Sequence, residues 1–233
     1  MSEKLYQDFR RQQQIPLTVL GGQPPYQTRL IQDAATGKIL VQKAIQKDSI
    51  PVYRKLQQLE SPHLVRIISC EEQQDIGMVT EEYISGETLD EKLRRQGVMP
   101  PEIVKYYIRQ LLEVLEQIHA QGIVHRDISP KNVLISTDGV VKLLDFDIAR
   151  RRKQNQNTDT TILGTVGFAS PEQYGFLQTD ATADIYALGV LMNVMLEGTL
   201  PNVHLTARKP FCNVIKRCIE IDPQNRYQNA GEL

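Results

Sequence analysis

Between residues 133 and 144, two runs of β-branched and aliphatic side chains, Val133-Leu134-Ile135-Ser136 and Val140-Val141-Lys142-Leu143-Leu144, are separated by Thr137-Asp138-Gly139. Asp-Gly between two such runs is a strong signal for a β-hairpin, because a tight turn needs backbone angles that glycine adopts without strain. A hairpin here ties together what lies on either side of it. Before it stands His125-Arg126-Asp127-Ile128-Ser129-Pro130-Lys131-Asn132, and after it Leu144-Asp145-Phe146-Asp147. Asn132 and Asp145 are thereby expected at opposite ends of the strand pair, facing one ion cluster.

These residue types at these intervals suit phosphoryl transfer. A hydroxyl attacking a γ-phosphate needs a carboxylate to orient it and accept its proton, and Asp127 is placed for that. The phosphates carry several negative charges, so Mg²⁺ needs oxygen ligands at two places around them. Asn132 and Asp145 would supply these oxygens. Lys131, between the base and the metal ligand, offers a flexible ammonium to charge developing on the transferred group.

The remaining chain reads as a strand-rich first part and a helical second part. Leu17 to Leu20, Gln27 to Gln32 and Lys38 to Ile45 are expected strands, with Thr36-Gly37 as the turn before the third. Ser49 is placed to cap a short helix over Ile50 to Leu59, with Pro51 in its first turn. Leu64 to Ser69 and Gly77 to Glu82 are two further expected strands, and Tyr83-Ile84-Ser85-Gly86 is the expected crossing to the second part. Val104, Ile108, Leu111, Leu115 and Ile118 recur at helical spacing between Pro101 and Gly122.

With 233 residues the chain can bury a substantial core, as one domain or two closely packed lobes. The 27 basic and 28 acidic residues leave a net charge of −1, which gives no reason to expect nucleic acid or a membrane surface as principal partner. Cys70, Cys212 and Cys218 are odd in number and lack zinc-type spacing, pointing to a reduced, cytoplasmic setting and to burial as small hydrophobes. Met1 to Gln14 has no apolar segment of the secretory type. The apolar part of Ile185 to Leu196 is too short to span a bilayer.

Further motifs follow in order: Gly164-Thr165, Ala169-Ser170-Pro171-Glu172, Asp184-Ile185-Tyr186-Ala187-Leu188-Gly189, and Asp222-Pro223 with Arg226. With the catalytic loop and the Asp-Phe-Asp turn, these resemble a eukaryotic-type Ser/Thr protein kinase domain of compact bacterial style, from about Leu20 onward. The resemblance implies an α+β, two-lobed fold, with a small antiparallel sheet and one short helix in the N-lobe and a mainly helical C-lobe. Residues 1–16 would be an N-terminal extension, 17–84 the N-lobe and 85–233 the C-lobe. It also implies ATP and Mg²⁺, protein substrates with Ser or Thr acceptors, and autophosphorylation.

Residue by residue, the resemblance makes Lys43 the strand lysine for the α- and β-phosphates. Leu20, Val41 and Leu134 match the adenine sandwich, Gly21 and Gly22 the glycine-rich loop, and Glu81, Glu82 and Tyr83 the gatekeeper and the residues after it. Arg126 matches the arginine that pairs with a phosphorylated activation loop, for which Thr158, Thr160 and Thr161 are candidate acceptors. Thr165 matches the threonine that contacts the catalytic aspartate and lysine, and Glu172 with Arg226 a buried ion pair. His125 and His63 are expected to be structural.

Departures from the pattern are equally informative. In Gly21-Gly22-Gln23-Pro24-Pro25-Tyr26 only the first glycine keeps register, and two prolines remove backbone donors that would cradle phosphate. The helix from Ile50 to Leu59 contains no Asp or Glu, and the family's lysine-pairing glutamate falls near Val52. Glu81 is a replacement candidate, since a carboxylate buried beside the strand of Lys43 needs a cation. A register error of one residue would make Glu82 the relevant group. Asp147 replaces a glycine; Asp tolerates unusual backbone angles, and a second carboxylate there would also suit Mn²⁺. The interval from Asp184 to Asp222 is shorter than the family's, which implies a reduced docking surface. The final Gly-Glu-Leu lies where a family helix would continue, as in a truncated chain.

Two readings from other classes stay open. A nucleotide-binding or scaffolding pseudokinase would explain the altered glycine loop and the missing helix glutamate. A small-molecule hydroxyl kinase would share the His-x-Asp, Asn and Asp-Phe-acid elements, though the Gly164 to Glu172 segment argues against it. Nothing in the sequence specifies an oligomeric state.

Overall fold

The computed structural model describes residues 14–73, 75–151, 164–175 and 179–233. They form two compact units, one containing residues up to Gln58 together with Val65–Ile84, the other containing Leu59–Leu64 and Ser85–Leu233.

The first unit is a five-stranded antiparallel sheet. Its strands are β1 (Gln14–Gln23), β2 (Tyr26–Asp33), β3 (Ile39–Gln46), β4 (Ile67–Gln73) and β5 (Ile76–Glu82), in the order β1-β2-β3-β5-β4. The helix α1 (Ile50–Leu56) packs on it through Ile50, Val52, Tyr53 and Leu56, all buried. Gly77 lets helix and sheet come this close: a Cβ there would lie 2.7 Å from Ile45 and 2.8 Å from Ile50. Pro51 sits in the first turn, where its missing N–H costs nothing. Ser49 makes no side-chain cap, because it already belongs to the 3₁₀ turn Lys47–Ser49, and the helix ends at Leu56, short of Leu59.

The expected strand from Leu64 to Ser69 is displaced. Leu64 instead bridges in parallel to Leu143, and the Leu143 N–H donates to His63 O, so the strand begins at Ile67 and runs on to Gln73.

The second unit is mainly helical. It contains β6 (Gly86–Thr88), α2 (Leu89–Gln96), α3 (Pro101–Ala120), β7 (Ile123–Val124), β8 (Val133–Ser136), β9 (Val141–Leu143), β10 (Arg150–Arg151), α4 (Ala181–Glu197) and α5 (Phe211–Cys218). Helix α2 begins with a capping box between Thr88 and Glu91. The expected apolar stripe of α3 is buried throughout. β8 and β9 pair as the expected hairpin, with Gly139 at φ 82° in its turn, and β6 adds to β8.

Helix α4 is almost entirely buried and forms the centre of this unit. Its first residue is Ala181, capped by the Asp180 carboxylate, so Asp184 lies one turn inside the helix. No helix occupies the interval between Glu197 and Phe211. Buried Asn193 organises it instead: its Nδ2 donates to Thr199 O (2.9 Å) and His204 O (2.8 Å), and its Oδ1 accepts from Thr206 N (3.0 Å). The α+β class, with a small antiparallel sheet carrying one short helix and a mainly helical second part, matches the sequence expectation.

Candidate active site

The loop from His125 to Asn132 is held from below by α4. The buried Asp184 carboxylate accepts the backbone N–H of His125 (2.9 Å) and of Arg126 (2.8 Å), and the His119 ring at 2.8 Å. Burial pushes the Asp184 carboxyl upward, but the His119 hydrogen bond, with the nearby imidazoles of His119 and His125 and the Arg126 N–H, outweighs it and holds it below the usual aspartate range. Arg126 stands at φ 72°, a left-handed conformation a non-glycine residue keeps only where its surroundings over-determine it.

Asp127 is the centre of the loop. Its Oδ1 accepts both the N–H (2.8 Å) and the hydroxyl (2.6 Å) of Thr165, and its Oδ2 accepts Asn132 Nδ2 (2.8 Å). The Asp127 N–H donates to His125 Nδ1 (3.2 Å), so the ring proton sits on Nε2 and is donated to Leu144 O (2.9 Å). The His125 ring meets Phe146 edge-on, with centroids 4.6 Å apart. His125 therefore joins the loop to the Asp145 turn and is structural, as expected.

Asn132 and Asp145 lie at the same open end of the hairpin, not at opposite ends: the Leu144 N–H donates to Asn132 O at 2.8 Å. The unusual backbone of the turn falls on Asp145, at φ 59°, and not on Asp147. The Asp147 N–H donates to Asp145 Oδ1 (3.2 Å), which closes the turn without glycine. Asn132 commits its amide nitrogen to Asp127, leaving Oδ1 as an acceptor. That oxygen and the Asp145 carboxylate fit a hard divalent ion that keeps water and phosphate oxygens in its shell. No cluster of three His, Cys, Asp or Glu side chains that would form an all-protein cage occurs among the described residues.

The segment after Gly164 is tied to the same loop. Gln173 donates to Arg126 O (2.7 Å) and accepts from Ser170 N and Oγ (both 3.1 Å). Ser170 thus completes a capping box that sequence reasoning missed. Glu172 and Arg226 form a buried bidentate pair at 2.7 and 2.9 Å. The guanidinium also donates to Thr182 O, Glu220 O and Ile221 O. Beside Thr165 and Lys131 opens an apolar pocket of about 450 Å³, walled by Leu93, Val98, Val166, Phe168, Val194 and Leu200. The Lys131 side chain is exposed and makes no hydrogen bond or ion pair with a described residue. Leu134 is half-buried on β8, opposite Thr88.

In the first unit, Lys43 Nζ lies 3.1 Å from Glu81 Oε2, with side-chain exposures of 13% and 7%. Glu82 is engaged elsewhere, accepting Arg66 N (3.0 Å), so Glu81 is the register that meets the lysine. Val41 shares their face of the sheet. Gly21 pairs with Thr28 and Gly22 with Gln27 in a hairpin that closes over Pro24-Pro25. Leu20 and Tyr83 are exposed. Thr158, Thr160 and Thr161 lie outside the described residues.

A helical unit built around such a loop, with a five-stranded sheet unit bearing a lysine paired to a buried glutamate, defines the phosphotransferase class of the protein kinases. The family model for the protein kinase domain matches residues 27–231, and the chain belongs to that family. It is 30% identical over 198 residues to a probable serine/threonine-protein kinase of Clostridium perfringens, covering 75% of this chain and 29% of that protein. It is 31% identical over 198 residues to serine/threonine-protein kinase PrkC of Bacillus subtilis, covering 75% and 31%. To serine/threonine-protein kinase PknL of Mycobacterium tuberculosis it is 44% identical over 121 residues, covering 52% and 30%. The chain thus spans 29% to 31% of the length of these relatives. The family uses ATP and a divalent metal ion generally. No helix among the described residues is long and apolar enough to cross a membrane.

Proposed function

We propose that this domain is an active Ser/Thr protein kinase that transfers the γ-phosphate of ATP to polypeptide hydroxyls, its own included, with Mg²⁺ as the metal. The observation that carries the reading is the pair of hydrogen bonds from Thr165 to Asp127. They join the segment on which a polypeptide would lie to the carboxylate that would activate its hydroxyl, a coupling that a small-alcohol kinase does not need.

A carboxylate has about four acceptor sites. Two on Oδ1 are taken by Thr165 and one on Oδ2 by Asn132, which leaves a site on Oδ2 for the substrate hydroxyl and its proton. Asn132 Oδ1 and Asp145 would hold the metal ion, which supplies charge neutralisation to the phosphates when bound. Lys43 is assigned to the α- and β-phosphates. The apolar pocket beside Thr165 favours substrates with an aliphatic or aromatic side chain near the acceptor.

A second reading, nucleotide binding with little turnover, is favoured by the β1–β2 hairpin, whose tip is two prolines without N–H groups. One experiment separates the two. Intact mass is measured after incubation with ATP and Mg²⁺, then with Mn²⁺, against Asp127→Asn. Phosphate gained by the unmutated protein alone supports the kinase. Nucleotide binding with no mass gain, and no transfer to a peptide pool, overturns it.

A further inference from the structure

Helix α1 offers no carboxylate to Lys43. Its charged residues are Arg54 and Lys55, and the face it turns to the sheet is Ile50, Val52, Tyr53 and Leu56. Val52, where a helix-borne glutamate would fall, is itself buried. The carboxylate comes instead from inside the sheet. On adjacent antiparallel strands Val41 faces Glu81 and Lys43 faces Val79, so Lys43 and Glu81 are diagonal neighbours on one face, within reach of two long side chains. Both side chains are largely removed from water, where an ion pair at 3.1 Å is strongly felt and either partner alone would be costly.

We infer that Glu81 is the positioning residue for Lys43, and that the lysine is therefore set by the β3–β5 ladder and not by the placement of α1. An anchor carried on a helix is lost whenever that helix shifts; an anchor on the neighbouring strand is as fixed as the ladder. Helix α1, docked by apolar contacts and by the close approach at Gly77, is then a structural prop. Displacing α1 is then not available as an off-switch for the lysine. The inference rests on the assignment of Lys43 to the nucleotide phosphates.

The test compares wild type, Glu81→Gln, Glu81→Met, Glu81→Asp and Lys43→Met in the full chain, measuring ATP affinity, kcat/KM for ATP, and affinity for adenosine, which has no phosphates. Glu81→Gln and Glu81→Met are expected to lower kcat/KM for ATP by about tenfold or more, with adenosine affinity within about twofold and partial recovery in Glu81→Asp. ATP efficiency within about twofold of wild type in both variants, while Lys43→Met is impaired, overturns the inference alone. Parallel loss of adenosine and ATP affinity overturns it too, because a merely structural defect would weaken both. If Glu81→Met does not fold, as judged by circular dichroism, the near-isosteric Glu81→Gln carries the test. If wild type neither binds nor turns over ATP, the proposed function falls and the inference with it; if wild type turns over ATP and Lys43→Met is unaffected, the assignment of Lys43 and the inference fall while the proposed function stands.

Discussion

The Thr165 hydroxyl lies 2.6 Å from Asp127 Oδ1, and the Thr165 N–H reaches the same oxygen at 2.8 Å. Thr165 therefore fixes the rotation of the Asp127 carboxylate, and under the proposed function Oδ2 is left to face the acceptor hydroxyl. Thr165→Val keeps the shape and the N–H but removes the hydroxyl. It should lower kcat by about tenfold to a hundredfold, the range for losing one oriented donor, with little change in thermal midpoint. Thr165→Ser should retain most activity. Steady-state kinetics with a phosphorylatable peptide decide it, and an unchanged kcat in Thr165→Val would remove the coupling from the mechanism.

Arg226 uses its guanidinium on Glu172 and on three backbone carbonyls while almost wholly buried. Removing one member of such a pair strands a buried charge. Arg226→Met is expected to cost about 3–5 kcal/mol, a drop in thermal midpoint on the order of 10 °C for a domain of this size. The double variant Arg226→Met/Glu172→Met should be less destabilised than the sum of the singles, because no charge is then stranded. Urea denaturation of the four proteins measures the coupling.

The buried Asp184 carboxylate makes stability depend on pH at the acid end. Its folded pKa lies below the ordinary value, so its contribution is fully present above the unfolded pKa of about 3.9 and is lost as pH falls through the folded value. Asp184→Asn should cost about 2–3 kcal/mol near neutrality, through weaker acceptance of the His125 and Arg126 N–H groups. The gap between variant and wild type should close below about pH 3.9. Denaturant melts at pH 7 and pH 3.5 test the sign; a gap that widened in acid would contradict it.

Gly77 is set by space. A methyl group there would meet the inner side-chain carbons of Ile45 and Ile50 at under 3 Å. Gly77→Ala should destabilise by about 1–3 kcal/mol through overpacking, with an unchanged denaturant slope. Pairing it with Ile50→Ala, which removes the obstructing Cγ1 of one of the two side chains, should cost less than the sum of the two single changes.

What could be read from the sequence was what adjacent residues encode. The Asp138-Gly139 hairpin and the α3 stripe follow from turn chemistry and periodicity, and Glu81 is a candidate partner for Lys43 from the family resemblance and the cost of a lone buried carboxylate, with Glu82 left open until the register is seen. What escaped were contacts between distant segments that leave no periodic trace. Ser170 with Gln173 and Arg126, Asn193 with Thr199, His204 and Thr206, and His119 with Asp184 are of this kind. The β4 boundary was displaced because Leu64, apolar enough for a strand, is claimed by Leu143. Asp147 drew attention as the substituted glycine, yet the left-handed backbone falls two residues earlier, where the Asp145 carboxylate accepts the Asp147 N–H.

Asn193 grips its loop at both feet, at Thr199 and at Thr206, and leaves the tip around Val203 in water. Because closing a longer loop costs only slowly more entropy, that tip is a natural socket. A peptide tag or a recognition module spliced next to Val203 would hang outside the clamp, giving the domain new targets while α4 and the loop above it keep their shape.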